Sequence, residues 1–211
     1  MKKLIVLGVV VSLLGLLDVA AKGWAEGKLE ERARAEVGAD VTTTADIDSF
    51  PFIGKLLLTG NAGDVEIVMN DVDVQRVHFS KLEVELFEVK LDRNKALSGD
   101  AEVTDIDRGV ITMTFTAADL SRAVSLPVRI DDGKVTVEVR GANVDATPQA
   151  TAEGSLRLQV AGLPAVNVPI PRTRLVSCAV DKVEVDDGEL KASCTVNEIP
   201  PALLRAASQV A

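Results

Sequence analysis

Between Val65 and Leu91 an apolar residue stands at nearly every second position, with polar residues and acids between, and no other stretch limits the fold as much. Val65, Ile67 and Met69 share one side of an extended segment, and Val72 and Val74 resume after Asn70-Asp71. Val77 and Phe79 continue, and Leu82, Val84 and Leu86 then alternate with Glu83 and Glu85. A period of two marks strands with one buried and one wetted face. At Leu86-Phe87 the parity changes, since Phe87, Val89 and Leu91 carry the apolar side from there. An extra residue re-aims a strand in this way, so a β-bulge and a bend are expected. Ile111, Met113 and Phe115 form a further strand, and Leu156, Leu158 and Val160 another before the turn at Gly162-Leu163-Pro164. Val166 and Val168 lead into Pro169-Ile170-Pro171, which fits only a sheet edge or a connection.

Val128–Val135 and Val183–Leu190 share one layout, a strand, an Asp-Asp-Gly turn and a second strand, with glycine free to take positive φ. A common hairpin used twice and a true internal repeat both explain the likeness. Helical signals are fewer. Thr116-Ala117-Ala118-Asp119 opens a capping box, with the helix expected to reach about Ser125 before Pro127. Phe50-Pro51-Phe52-Ile53-Gly54 followed by Lys55-Leu56-Leu57-Leu58 is read as a turn entering either a strand or a helix, with helix preferred, and Pro200–Ala207 as a C-terminal helix. Without a Gly/Ser linker, the body is one α+β domain dominated by antiparallel sheet.

The N-terminus has a different character. Lys2 and Lys3 precede an apolar run from Leu4 to Leu17, then come Asp18 and Val19-Ala20-Ala21. A basic start with an apolar stretch is an export signal. Read through Asp18 it reaches about the minimum length of a spanning helix, whereas cut at the small residues before Lys22 it is a signal peptide. The lysines put the N-terminus in the cytoplasm and the rest outside. From Ala25 to Val37 the pattern is helical, with Ala25, Leu29, Ala33 and Val37 on one stripe, so a helix leaving the bilayer could continue into it. The expected organisation is residues 1–23 as signal anchor or signal peptide and residues 24–211 as an extracytoplasmic domain. A single-pass membrane location follows, or a secreted or periplasmic one if the signal is cut.

Composition excludes several functions. A net charge of −9 argues against nucleic acid, which needs clustered cations. The first 38 residues carry +1, so the body is more acidic still, and lipid contact would have to be apolar and local. One histidine and two cysteines do not furnish a zinc or haem site, and no cofactor is expected. His78 alternates outward between Val77 and Phe79, with no partner motif. No nucleophile elbow, metalloprotease helix or phosphate loop occurs, and the acidic pairs at Asp71/Asp73, Asp105/Asp107 and Asp131/Asp132 lack the order of a calcium loop. An enzyme is not expected. Cys178 and Cys194 flank the second hairpin and form the evident disulfide outside the membrane, with free thiols as the alternative. In register Asp181 would face Cys194, so a bulge or frayed strand end has to bring Cys178 round.

Apolar residues make up 47% of the chain and aromatics 3%, so the interior is aliphatic. Long bulged strands with few helices to cover them can leave an apolar slot, whose Val, Leu and Ile walls suit acyl chains. An ordinary closed core is the other reading. The order of features resembles the LmeA-like phospholipid-binding family of actinobacterial cell-envelope proteins. The likeness runs from the apolar start and charged helix Trp24-Ala25-Glu26 to Val37, through Phe50-Pro51-Phe52 and the Leu-rich stretch to Gly60, to the acidic strands Val65–Leu91. Ala118-Asp119-Leu120, the last hairpin and Ile199-Pro200-Pro201 complete it.

The resemblance implies a tubular lipid-binding-like fold, in which a strongly curved antiparallel sheet wraps a helix around an apolar tunnel. It also implies phospholipid as the partner and a role in envelope lipid and glycolipid maintenance. The acidic exterior and the scarcity of aromatics leave headgroup preference open. From the strand pattern, the expected lipid-contacting residues are Phe50, Phe52, Leu56, Leu86, Phe115, Leu126, Leu158 and Val160. A non-enzymatic envelope scaffold with a closed core, binding a protein partner of unknown kind, is the alternative.

Overall fold

The computed structural model describes residues 2–37, 41–75, 77–98, 103–171, 176, 178–186 and 188–197. The expected helix Pro200–Ala207 lies outside them. Among the described residues the first sheet runs in the order β1 (Thr42–Asp48), β2 (Asn61–Val74), β3 (Val77–Leu91), β5 (Arg108–Thr116), β12 (Glu189–Val196) and β11 (Lys182–Asp186). The short β4 (Val103–Asp105) also pairs with β3. The second sheet is a meander, β6 (Val128–Asp131), β7 (Lys134–Val139), β8 (Ala142–Ala150), β9 (Leu156–Val160) and β10 (Val166–Val168). It interrupts the first sheet, for the chain leaves β5, completes the meander, and returns so that β12 pairs with β5. Helices α1 (Lys2–Val37), α2 (Phe52–Thr59), α3 (Arg93–Ser98) and α4 (Ala117–Val124) complete the fold.

The period-two run folds as β2 and β3, paired antiparallel from Val65↔Leu86 to Val74↔Val77. The expected bulge is present. Gly63 faces Val89 and Val65 faces Leu86, so Asp64 stands opposite both Phe87 and Glu88, the latter at φ +51°. Val89 turns inward as the parity change requires, whereas Phe87 lies outside, beneath the Arg108 guanidinium at 4.6 Å. Gly63 takes φ +88°, and a Cβ there would sit 2.5 Å from the Asp48 carbonyl, so only glycine fits. A second change of parity, at Asn70-Asp71 and Ser80-Lys81, keeps the register but brings Val72 and Phe79 inward, where Phe79 meets Phe115 at 5.1 Å between ring centres.

Both Asp-Asp-Gly segments are hairpins. Asp132 and Gly133 both have positive φ between the Asp131↔Lys134 pair, the geometry a two-residue turn needs to match strand twist. α4 is capped as the sequence requires: the Asp119 N–H donates to Thr116 Oγ1 and the Thr116 N–H to Asp119 Oδ2, and the helix ends at Ser125. α4 packs between the sheets, touching β3 and β5 on one side and β6 and β10 on the other. Cys178 and Cys194 are disulfide-bonded with Cα atoms 5.8 Å apart. Cys178 precedes β11, so an irregular strand end, rather than the ladder, delivers it.

Two expectations require correction. The sheets are open, with β1, β11, β6 and β10 as edges, and neither is a strongly curved tube around a helix. α1 lies along the edge at β1, and its docked side carries carboxylates bound to backbone, which an apolar tube could not accommodate. Nor is any helix among the described residues long and apolar enough to cross a membrane. Asp18, through which the spanning reading passed, is buried within the protein at 5% exposure.

The outer face of the first sheet is polar, and Glu66 stands directly opposite Glu85 and diagonal to Glu83. Although Glu66 is exposed, some loss of water around its carboxyl, then the charge and hydrogen bond of Glu83 and the charge of Glu85, hold it above its ordinary value despite Lys81 nearby. A raised carboxyl favours the folded state while protonated, so this group removes stability as pH rises from about 4.5 through its shifted value. Glu66→Gln is therefore expected to stabilise the fold at pH 7 by about 0.5 kcal/mol, the scale of a like-charge cross-strand pair. Urea unfolding at pH 7 and pH 4 checks this, the gain disappearing at the lower pH.

Candidate functional site

α1 is built to lie against a sheet edge. Along one stripe, four residues apart, come Asp18, Lys22, Glu26, Glu30 and Arg34. Glu26 Oε1 accepts the Ile47 N–H at 3.0 Å, Glu30 Oε1 accepts the Ala45 N–H at 3.2 Å, and Arg34 donates to the Thr43 carbonyl at 3.3 Å. The two repeats nearly match, because four helical residues advance about 6 Å and two strand residues about 6.7 Å. The helix side chains thus stand in for a neighbouring strand, satisfying an edge that would otherwise be left unpaired. Lys22 bridges Glu26 and Asp46. Beside this polar stripe, Ala25, Leu29 and Ala33 of the expected apolar stripe pack on the core together with Ala21, and the small alanines let the helix approach closely.

The ladder ends at α2. Pro51 occupies its N-cap position and offers no side-chain acceptor, so the first N–H groups need a partner from elsewhere. Asp18 provides both oxygens, accepting from Phe52 N–H at 2.8 Å and Ile53 N–H at 2.6 Å. A carboxylate there also complements the helix dipole. The other end is held by Gly60 at φ +76°, whose N–H donates to Leu56, and by Arg93, which donates to the Leu58 carbonyl at 3.3 Å. α2 is fixed, yet it is apolar on both sides. Phe52 is buried and Ile53 and Leu56 are half-buried, whereas Leu57 is 44% and Leu58 80% exposed. Phe50, just before the helix, is 74% exposed.

The eight residues expected to meet lipid fall in different places. Phe52, Leu86, Phe115, Leu158 and Val160 belong to one continuous buried cluster drawn from both sheets and α2, and Leu56 and Leu126 pack against it. Phe50 stands apart at the surface. On the floor of the first sheet, Leu86, Gly109 and Val196 lie side by side across β3, β5 and β12. A Cβ at Gly109 would come within 2.5 Å of Val196 Cγ2 and 3.0 Å of Leu86 Cδ2, so the glycine lets those two side chains close over it. His78 is less exposed than its alternation implies. Its ring lies 2.9 Å from Asp73 and 3.8 Å from buried Asp119, itself paired with Arg122 at 2.6 Å. No group of three or more potential ligands that could hold a metal occurs among the described residues.

The docking role of Asp18, Glu26 and Glu30 was not anticipated from the sequence, though their spacing by multiples of four on a charged helix was the available signal. Nor was the exposed side of α2, which the run Leu56-Leu57-Leu58 announces, since three consecutive leucines cannot all face inward from a helix. Replacing Asp18 by Ala is expected to cost about 1–3 kcal/mol, because one buried and one partly buried N–H donor lose their acceptor. Asn should recover part of this loss, as it retains one acceptor oxygen. Chemical denaturation of the two variants beside the parent protein, all in mild detergent, measures the difference. A model of the LmeA-like phospholipid-binding family matches residues 16–210. No curated protein and no solved structure matches the chain.

Proposed function

The chain belongs to the LmeA-like phospholipid-binding family, and on that footing we propose that it is a membrane-tethered, extracytoplasmic protein that binds phospholipid by sheltering the acyl chains in its apolar interior. The family match over residues 16–210 carries this reading. The aliphatic cluster joining both sheets supports it, since hydrocarbon walls favour methylenes at about 0.8 kcal/mol each and offer nothing to a polar ligand. The acyl chains would enter between side chains of the two sheets, with Leu86 and Phe115 on one side and Leu158 and Val160 on the other, so the interior opens on binding. A part in maintaining envelope lipid and glycolipid accords with this chemistry, and the family is one of lipid binders, not enzymes.

The tether in this reading is the apolar run from Leu4 to Leu17, and tether (1–23) and body (24–211) share one helix. Asp18 supports retention over cleavage. A cut after Ala21 would remove the acceptor of Phe52 and Ile53 and leave the start of α2 without its cap.

Native mass spectrometry of the full chain, extracted in mild detergent, tests the function, and the expected result is a phospholipid retained by each chain. Ala192→Leu separates an interior that opens from a closed core. Ala192 is fully buried on β12 opposite Met113, so in a closed core the added bulk costs about 1–3 kcal/mol. In an interior that parts for lipid, the variant is expected to keep its stability and lose bound phospholipid. Absence of lipid from the parent protein, with a stoichiometric protein partner in its place, would establish the scaffold reading instead.

A further inference from the structure

α2 lies where the helix α1 leaves the folded body. Glu30 pairs with residue 45 and Glu26 with residue 47, so α1 and β1 run in opposite directions. The strand then continues through Phe50 into α2, the same direction in which α1 runs on beyond Asp18 toward Lys2. Asp18, bound to the first two N–H groups of α2, marks the crossing point. On the far side of that point begins the Leu4–Leu17 run, and Leu17 itself is 60% exposed. Phe50, Leu57 and Leu58 are therefore exposed apolar residues before and along the helix at the root of the tether.

Charge on that helix is sparse: Asp18 is buried against its first N–H groups, and Asp48 and Asp92 lie beyond its two ends. From Ser49 to Gly60 the only charged residue is Lys55, which is exposed on α2, and Arg93 stands at the C-terminal end of the helix. Although the chain carries a net charge of −9, an apolar helix bordered by a lysine and an arginine is a local setting suited to phospholipid headgroups. We propose that α2 and Phe50 form a foot that rests in the headgroup layer of the membrane, with Phe50, Leu57 and Leu58 dipping below the phosphates and Lys55 and Arg93 at their level. The foot rests on the tether of the proposed function and extends it, by fixing how the body stands on the bilayer and which end of the apolar interior faces the lipid.

The test uses the full chain in phosphatidylcholine vesicles containing phosphatidylglycerol, with nitroxide-labelled lipid as quencher. The protein has a single tryptophan, Trp24, placed on α1 beyond Asp18 on the side away from the run. Trp24→Phe combined with Phe50→Trp moves the reporter to the foot. The expected result is a blue shift and loss of most emission to shallow nitroxide at position 50, with little loss at Trp24 in the parent. Lys55→Glu in the reporter background should reduce that quenching. Cosedimentation with the vesicles reports the tether independently. Cosedimentation without quenching at position 50 overturns the foot and leaves the tether standing, and no cosedimentation overturns both. A blue shift with no nitroxide quenching and with cross-linked dimers assigns the surface to a second copy and also overturns the proposal.

Discussion

The carboxylates of Asp18, Glu26 and Glu30, bound to backbone N–H groups of β1 and α2, are the contacts that the arrangement of this protein most depends on. A sheet edge exposes a row of donors and acceptors, and a bare one invites pairing with another chain. Here the edge is covered by a helix whose side chains recur at nearly the spacing of the groups they meet. Hydrogen bonds to charged acceptors are stronger than neutral ones, and partial burial strengthens them further. The same contacts set the angle of α1 and the position of α2, so one set of bonds would orient both the proposed tether and the proposed foot.

This docking also explains why the structure is not a tube around a helix. A helix at the centre of a greasy cylinder must be apolar all round, and α1 carries acids on one of the stripes turned toward the protein. Its partner is backbone, not side chains, which limits it to an edge. The interior is instead shared between two open sheets with α4 between them. An acyl chain would then be held between layers that part, rather than threaded through a permanent bore.

Much of this was readable from residues alone where a strand has one clearly buried face. The alternation through β2 and β3, the bulge opposite Asp64, the capping box at Thr116 and Asp119 and the paired hairpins all carry their own local chemistry. β1 was not legible, because Thr42–Asp48 holds mostly polar residues and owes its extended form to β2 and α1. β8 was hidden by its exposed residues and by Pro148, which sits beyond the last residue paired with β7 and so needs no N–H on that side. The disulfide partner was clear but its delivery was not, since Cys178 lies off the ladder. For the candidate site, burial told apart residues that sequence treats alike: Phe50 and Phe52 are two positions apart, one exposed and one enclosed.

The placement of the second sheet inside the first has a consequence for how the molecule is made. As synthesis proceeds from the N-terminus, β1, β2, β3 and β5 can assemble early, but the open side of β5 has no neighbour until the entire meander has been produced and β12 arrives. Closing so long a gap is slow relative to forming local hairpins. Until β12 arrives, the edge of the strand that carries Ile111, Met113 and Phe115 has no partner on that side.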